Sequence, residues 1–204
     1  MSPTVFAKLV LIAALALPAL AQAQPSVPPT PVRGTVEKFA DHTLTVKARD
    51  GGLVLVALAP DFKVRAVVPQ TLADIKPGDM VGVTSIKGTD GVQQAVEVHI
   101  LPKDIPNLRS SQFPYDLRPG SLMTNAAVAQ VSNAVQGRTI KVTLNGKESE
   151  FAVPPGTPIV GYGPGDTSLL KPGVAVVMFA RKLPDGKLSA AGVTAEKNGV
   201  KPPM

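Results

Sequence analysis

The two histidines are the first residues to consider for chemistry, because the imidazole nitrogen is a common ligand of transition metals. His42 and His99 stand 57 residues apart, and the chain has five methionines and no cysteine. His99 alternates with Val98 and Ile100 on a predicted strand, so its side chain should face away from the core. The sequence lacks the short histidine and cysteine spacings of zinc and copper sites. We therefore expect ordinary surface histidines, with no bound metal and no cofactor.

Carboxylate pairs are the second candidate for chemistry, since two of them can act as general acid and base. Asp74 and Asp79 flank one predicted turn, and Glu148 and Glu150 share one face of a predicted strand. Carboxylates in such places are usually solvated. The sequence has neither a Gly-x-Ser-x-Gly motif nor a cysteine nucleophile. These features predict a protein that is not an enzyme.

A glycine-rich segment over residues 161–166 suggests a phosphate-binding loop, but no helix is predicted to open after its glycines. The segment is instead typical of a mobile loop. Its tyrosine, Tyr162, is a candidate contact residue at the rim of the second barrel-forming copy. The alternative is a loop tyrosine that packs on its own hairpin.

The N-terminal region is typical of an export signal. Residues 1–23 contain one charge, an apolar run and a final Ala21-Gln22-Ala23, which predicts a signal peptide with cleavage after Ala23. Residues 24–31 hold four prolines and should form an extended leader. No other segment is apolar enough to span a bilayer. We expect a periplasmic or secreted protein whose mature chain is held together without disulfides.

The same motifs occur twice along the chain, displaced by 95 positions. Lys-Pro-Gly stands at 76–78 and 171–173, Asp-Gly at 90–91 and 185–186, and Asp-Gly at 50–51 matches Asn-Gly at 145–146. Apolar positions follow the same displacement, which matches Val36 with Val131 and Val98 with Val193. The sequence therefore predicts two copies of one small module, over residues 32–101 and 127–199, followed by a short tail at 200–204.

Each copy has the pattern of short strands joined by tight turns. Apolar residues alternate over 32–36, 44–48, 64–68 and 96–100 in the first copy, with predicted turns between them that include Pro60-Asp61. Only residues 71–75 and their counterpart near 168–170 suggest a helical turn. The prediction is an all-β protein of two tandem small barrels of the oligonucleotide/oligosaccharide-binding (OB) type, which leave few exposed sheet edges. A β-sandwich is the alternative fold.

The segment between the copies, residues 102–126, combines prolines with arginine and aromatic residues. It is too rich in these residues for a flexible spacer, so we expect an ordered connector. In one interpretation it covers the junction of the barrels. In the other it forms a recognition surface, because arginine and tyrosine are frequent at binding hot spots. The candidate partner-binding residues are Arg109, Phe113, Tyr115, Asp116 and Arg118, together with Tyr162.

The string Asp-Leu-Arg-Pro-Gly-Ser-Leu-Met-Thr-Asn-Ala at 116–126, followed by a strand and two glycine turns, resembles a family of small exported bacterial proteins of unknown function. Members often carry the automatic label "metal ABC transporter permease". The first copy also resembles a widespread bacterial domain with a small barrel. The resemblance implies an architecture and no chemistry. A permease needs several membrane-spanning helices, which the sequence does not predict.

The distribution of charge argues against nucleic-acid binding. The chain has a formal net charge of +6 and few aromatic residues, and its basic side chains are interspersed with acidic ones. Nucleic-acid binding normally needs clustered Lys and Arg with aromatic platforms.

The leading hypothesis is a non-catalytic exported binding or assembly module of the cell envelope, acting on a protein partner or an extended ligand. The alternative is a periplasmic carrier of metal or small solute that serves a transporter.

Overall fold

A computed structural model describes residues 29–105, 108–134 and 137–202, so the predicted signal peptide lies outside the described residues. In these ranges the chain forms twelve strands, which are β1 (Thr30–Ala40), β2 (Thr43–Ala48), β3 (Leu53–Pro69), β4 (Met80–Lys87), β5 (Gln93–Ile100), β6 (Ser111–Pro114), β7 (Leu122–Ala134), β8 (Gly137–Leu144), β9 (Lys147–Ala152), β10 (Ile159–Pro164), β11 (Ala175–Lys182) and β12 (Leu188–Ala195). Two 3-10 turns, Leu72–Asp74 and Thr167–Leu169, complete the elements. The all-β prediction is confirmed. None of the helical turns in the described ranges is long or apolar enough to span a membrane.

A closed five-stranded barrel, here called the first barrel, contains β1, β2, β3, β12 and β11. Neighbouring strands pair in that order, and β11 returns to β1. All pairings are antiparallel except that of β3 with β12, which is parallel. Leu44 and Val46 of β2 are fully buried in its core, beside Val56 of β3 and Val176 of β11. Burial of each such side chain contributes roughly 1.5–3 kcal/mol to folding.

A second strand set contains β4, β5, β7, β8 and β9 around a separate core. β4 pairs with both β5 and β7, and β7, β8 and β9 follow as antiparallel neighbours. β9 returns to β5 through a short parallel pairing, Gln93 with Phe151 and Gln94 with Ala152. Ile140 and Phe151 are buried at the centre of this core. Leu44 of β2 and Ile140 of β8 thus lie in two separate apolar cores.

The strands are distributed between the two cores in an order that differs from the expected one. Each predicted copy should close on itself, but the first barrel takes β11 and β12 from the range 127–199. The second strand set takes β4 and β5 from the range 32–101. β10 joins the two sets, since it pairs with β3 on one side and β5 on the other. The two halves of the chain therefore exchange their last two strands.

β3 is longer than its sequence predicts, because the expected turn at Pro60-Asp61 lies inside it. β12 pairs with β3 at Leu58 and then again at Lys63, so the residues between them bulge out of the ladder. Proline lacks a backbone N–H and is tolerated in such a bulge. In the second half the corresponding Pro155 and Gly156 interrupt the strand and separate β9 from β10.

Three other expectations differ from the structure. β1 begins at Thr30, so the end of the predicted leader at 24–31 is a strand that pairs with β11. Residues 161–164 belong to the strand β10, whereas a mobile loop was predicted over 161–166. β3 and β5 offer free edges on both sides of this strand. Bulges follow Val36 in β1 and Val128 in β7, so by its place in the strand pairing Val36 corresponds to Val128 and not to the predicted Val131. The two hairpins that follow differ in length, which moves the register.

Candidate binding site at the junction of the two strand sets

The central element of the site is β10, the strand shared by both sets. Val160 pairs with His99 of β5, and Tyr162 lies two residues further along β10. Side chains two residues apart share one face of a strand. His99 and Tyr162 therefore meet on the outer surface of the second strand set.

Buried Glu97 and His99 form a polar chain with the half-buried Tyr162, here called the junction triad. The Nδ1 atom of His99 lies 2.7 Å from the hydroxyl oxygen of Tyr162. Its Nε2 atom lies 3.3 Å from Oε2 of Glu97, and both of these side chains are almost fully buried. Those two atoms have no aligned hydrogen-bond partner among the described residues, so they lie close together without forming a hydrogen bond. Buried polar groups of this kind cost stability and are concentrated at functional sites.

Burial raises the pKa of the Tyr162 hydroxyl well above its ordinary value, and the negative charge of Glu97 and the nearby Tyr115 raise it further. Arg65 acts in the opposite direction but is the weaker influence. Both burial and a neighbouring carboxylate disfavour the phenolate. Tyr162 is therefore a neutral hydrogen-bonding group, and it is poorly suited to act as a nucleophile.

Tyr162 lines an open cleft of about 590 Å³ between β3 and β10. Arg65 of β3 donates a hydrogen bond of 3.0 Å to Asp104 at the wall of this cleft. That bond and the positive charge of Arg65 lower the pKa of Asp104. The remaining wall consists of backbone, apolar and charged groups from Phe62, Lys63, Val64, Pro102, Gly163, Pro164, Gly165, Asp166 and Thr167. Such a mixture of apolar and polar lining suits a binding cleft.

The connector closes the junction from the other side. The side chain of Arg33, which is buried on β1, donates a hydrogen bond of 2.7 Å to Asp116, and its guanidinium lies 4.8 Å from the centre of the Tyr115 ring. Phe113 packs edge-on against Tyr115. β6 pairs with β7 and so fixes this segment to the second strand set. The Arg33 contacts therefore tie the first barrel to the connector.

The six candidate binding residues fall into two groups. Phe113, Tyr115 and Asp116 lie together at the junction, and Tyr115 is close enough to Tyr162 to influence its pKa. Arg109 is an exposed coil residue away from these contacts, and exposed Arg118 lines a separate small cleft of about 240 Å³. The structure does not bring the two arginines into the Tyr162 site.

Sequence reasoning missed Arg33 and Glu97 as site residues, and it placed His99 on the surface. Each faces away from an apolar core, which normally means exposure to solvent. Here other segments pack against the outer faces of both strand sets and bury them. The sequence contains one signal of a polar pair: Glu97 and His99 flank Val98, so their side chains lie together on the face opposite that of Val98.

The other candidates for chemistry have structural roles. His42 lies in the exposed turn after β1 and packs against Phe62. Asp74 accepts hydrogen bonds from the backbone and side chain of Thr71, and Asp79 accepts one from the Lys76 backbone. Within the described ranges, no group of three or more His, Cys, Asp or Glu side chains could hold a metal ion. No protein-family model, curated protein or solved structure matches this chain.

Proposed function

We propose that this chain is a non-catalytic exported module of the cell envelope that binds a protein partner or an extended ligand in the cleft beside Tyr162. The observation that carries the proposal is the junction triad, which holds Tyr162 at the cleft wall by a partly buried hydrogen bond. The raised pKa of Tyr162 favours a binding role over a nucleophilic one. A periplasmic or secreted location follows from the predicted signal peptide. The resemblance to small exported bacterial proteins belongs to the same proposal.

The proposal includes two OB-like barrels that arose by internal duplication. In the first barrel the order of pairing is β1, β2, β3, β12, β11, and in the second strand set it is β7, β8, β9, β5, β4. In each order the only parallel pairing joins the third strand to the fourth, which are β3 and β12 in the first barrel and β9 and β5 in the second strand set. A displacement of 95 residues carries the parallel pair Leu188 with Val56 onto Gln93 with Phe151. Identical pairing rules in two sets support a common origin.

The contact between β3 and β10 supports the same origin. The displacement of 95 residues carries the pair Pro69 with Val160 onto the pair Arg65 with Pro164, and both pairs are present. The central pair, Val67 with Tyr162, is carried onto itself. This is the geometry of a two-fold contact between like units.

The two related positions have different side chains, which supports a specialised site in one of them. The counterparts of Glu97, His99 and Tyr162 are Gly192, Thr194 and Val67. None of these three residues has an ionisable side chain, so the related position has no second triad of this kind. Duplication preserves the strand pairing at both related positions, while the polar groups of the junction triad occur at only one of them. We attribute this difference to binding, because architecture alone would not need buried charge.

The test is capture of envelope components by the mature protein. A cleft variant, Arg65→Gln with Tyr162→Phe, is compared with the wild type and with Arg109→Ala, an exposed residue outside the cleft. A species that is retained by wild type and Arg109→Ala and lost with the cleft variant supports the proposal. Equal recovery of every species by all three proteins would falsify it. Loss only in an Arg109, Tyr115 and Arg118 triple alanine variant would move the binding surface to the connector.

A further inference from the structure

Most of the large apolar side chains that the structure exposes lie near one end of the first barrel. Six such side chains are exposed in the described ranges, and four of them belong to this barrel. These four are between 40% and 61% exposed and comprise Leu53 and Leu55 of β3, Phe179 of β11, and Leu183 in the turn after β11. A cluster of exposed apolar side chains usually marks an interaction surface.

The strand pairing brings these four side chains to the same end. β3 and β12 run parallel, with Leu188 beside Val56, so the turn before β3 and the turn before β12 lie at one end of the barrel. β11 is antiparallel to β12 and finishes at that same end. The segments 47–55 and 179–187 are therefore neighbours, although more than a hundred positions separate them in the chain.

These two segments are basic as well as apolar, and together they are called the basic end here. Their exposed cationic side chains are Lys47, Arg49, Arg181, Lys182 and Lys187. Only Asp50 and Asp185 oppose them, and each of these carboxylates already accepts a hydrogen bond from a backbone N–H group of its own turn. Asp185 also pairs with the ammonium group of Lys187 over 3.3 Å. The basic end has an excess of three positive charges.

We propose that the basic end docks on a membrane surface that contains anionic phospholipid, with its exposed leucines in the interfacial layer. Apolar side chains among cations suit this layer, because the apolar groups leave water while the cations lie beside lipid phosphates. An acidic protein is the other partner of matching charge. Lysine is depleted at protein interfaces, however, and three of the five cations are lysines. The composition therefore favours lipid.

This inference goes beyond the proposed function, because the basic end and the cleft are separate surfaces. The cleft lies beside residues 62–65, near the opposite end of β3 from Leu53 and Leu55. Thr30, the first residue of β1, pairs with Ala180, so the chain enters the first barrel at the basic end. A signal peptide that is still attached would hold this end next to the membrane. Docking here leaves the cleft open to its own ligand.

Sedimentation with lipid vesicles tests the charge requirement on the mature chain. We expect binding to vesicles of phosphatidylglycerol and phosphatidylcholine in equal parts, and release in about 1 M salt, where the screening length is about 3 Å. A cation near an anionic surface strengthens binding about fivefold. The charge variant should therefore bind about 100-fold more weakly; it combines Arg49→Gln, Lys182→Gln and Lys187→Gln.

The matched control removes the same number of charges from exposed positions elsewhere and should bind nearly as well as the wild type. It combines Lys38→Gln, Lys147→Gln and Lys171→Gln. Circular dichroism should show all three proteins equally folded, because every substituted side chain is exposed.

The apolar contact has a separate readout. The chain has no tryptophan, so Leu55→Trp places a single fluorescent reporter at the basic end. Val92→Trp places one at an exposed apolar position in the second strand set. We expect a blue shift of emission on anionic vesicles with Leu55→Trp alone. Leu53→Ser with Leu55→Ser should weaken binding on the order of tenfold.

Several outcomes would overturn the proposal. They are no binding of the wild type to anionic vesicles, equal binding to pure phosphatidylcholine, equal weakening by the two sets of charge substitutions, or equal shifts of the two reporters. Capture of an acidic envelope protein through the basic end, without vesicle binding, would assign this surface to a protein partner. The cleft variant, Arg65→Gln with Tyr162→Phe, should bind vesicles as the wild type does. Failure of the vesicle experiment thus leaves the proposed function intact, and failure of the capture experiment leaves this inference intact.

Discussion

The Nδ1 atom of His99 and the hydroxyl oxygen of Tyr162 lie 2.7 Å apart, although 63 positions separate the two residues in the chain. His99 belongs to β5 and Tyr162 to β10, and a parallel pairing of only two residue pairs aligns these strands. The contact forms only when the two halves of the chain have assembled. It is therefore both a site feature and a marker of correct folding.

The phenol of Tyr162 should resist ionisation. The chain has two tyrosines, so Tyr115→Phe leaves Tyr162 as the only phenol. We expect its ultraviolet phenolate signal to appear at a higher pH than that of the unfolded variant, since burial and Glu97 raise the pKa of Tyr162. Titration by absorbance, with and without denaturant, measures the difference. Identical folded and unfolded titrations would contradict the buried environment.

The same group should make stability fall in alkali. The folded chain retains the Tyr162 proton at a pH where the unfolded chain releases it, so this contribution is complete below the ordinary tyrosine pKa of about 10. It is lost as pH rises through the higher folded value. In the Tyr115→Phe background, adding Tyr162→Phe should therefore weaken the loss of unfolding free energy above that pH. Urea unfolding at neutral and alkaline pH measures it, and parallel curves would contradict the assignment.

The Arg33–Asp116 pair should matter more than the Arg65–Asp104 pair. Only 5% of the Arg33 side chain is exposed, against 27% for Arg65. Asp116→Asn leaves a buried guanidinium without its carboxylate, which costs about 1–3 kcal/mol of unfolding free energy. Asp104→Asn, the matched control, should cost less because solvent screens its partner. Chemical denaturation measures both variants. A larger loss with Asp104→Asn would overturn this ranking.

Both apolar cores should be necessary for one cooperative fold. Leu44→Ala and Ile140→Ala each remove a fully buried side chain, so each should cost about 2–5 kcal/mol. We expect one unfolding transition in either variant, because both cores depend on exchanged strands. The control is Leu55→Ala, a residue that is 61% exposed on β3, with an effect within about 0.5 kcal/mol. Two separate transitions, followed by circular dichroism and calorimetry, would contradict shared stability.

Cutting the connector should not separate the halves. A protease recognition sequence placed beside the exposed coil residue Arg109 allows cleavage between β5 and β6. We expect the two fragments to stay together in size-exclusion chromatography, because each core contains strands from both sides of the cut. Denaturant should release them. Separation under native conditions would show that the strand exchange is absent in solution.

Local features of this fold could be predicted because they depend on neighbouring residues. Asn145 and Gly146 both have positive φ, at 51° and 77°, as a tight hairpin requires. The predicted helical turns near residues 71–75 and 168–170 appear as the two 3-10 turns. Turn residues and the alternation of apolar side chains along a strand depend on short segments, so the sequence predicts them directly.

The exchange of strands could not be predicted from the same patterns. An apolar face on β11 is buried equally well in a barrel made with β7 or with β1. Alternation therefore specifies that a strand is half buried and leaves its partner open. The segment after β3 leads to β4 in the second strand set, and the segment after β10 leads to β11 in the first barrel. Glu97 and Arg33 were overlooked for a related reason, since their burial comes from elements packed outside the cores.

During synthesis, the edge strands of the first barrel stay unpaired until late. β1 and β3 emerge early, but β11 and β12, which occupy their free edges, are the last strands to be synthesised. Until then the first three strands present two unsatisfied edges, which are templates for aggregation. Folding during synthesis therefore requires the nascent chain to be shielded, or to complete folding only after β11 and β12 have been made.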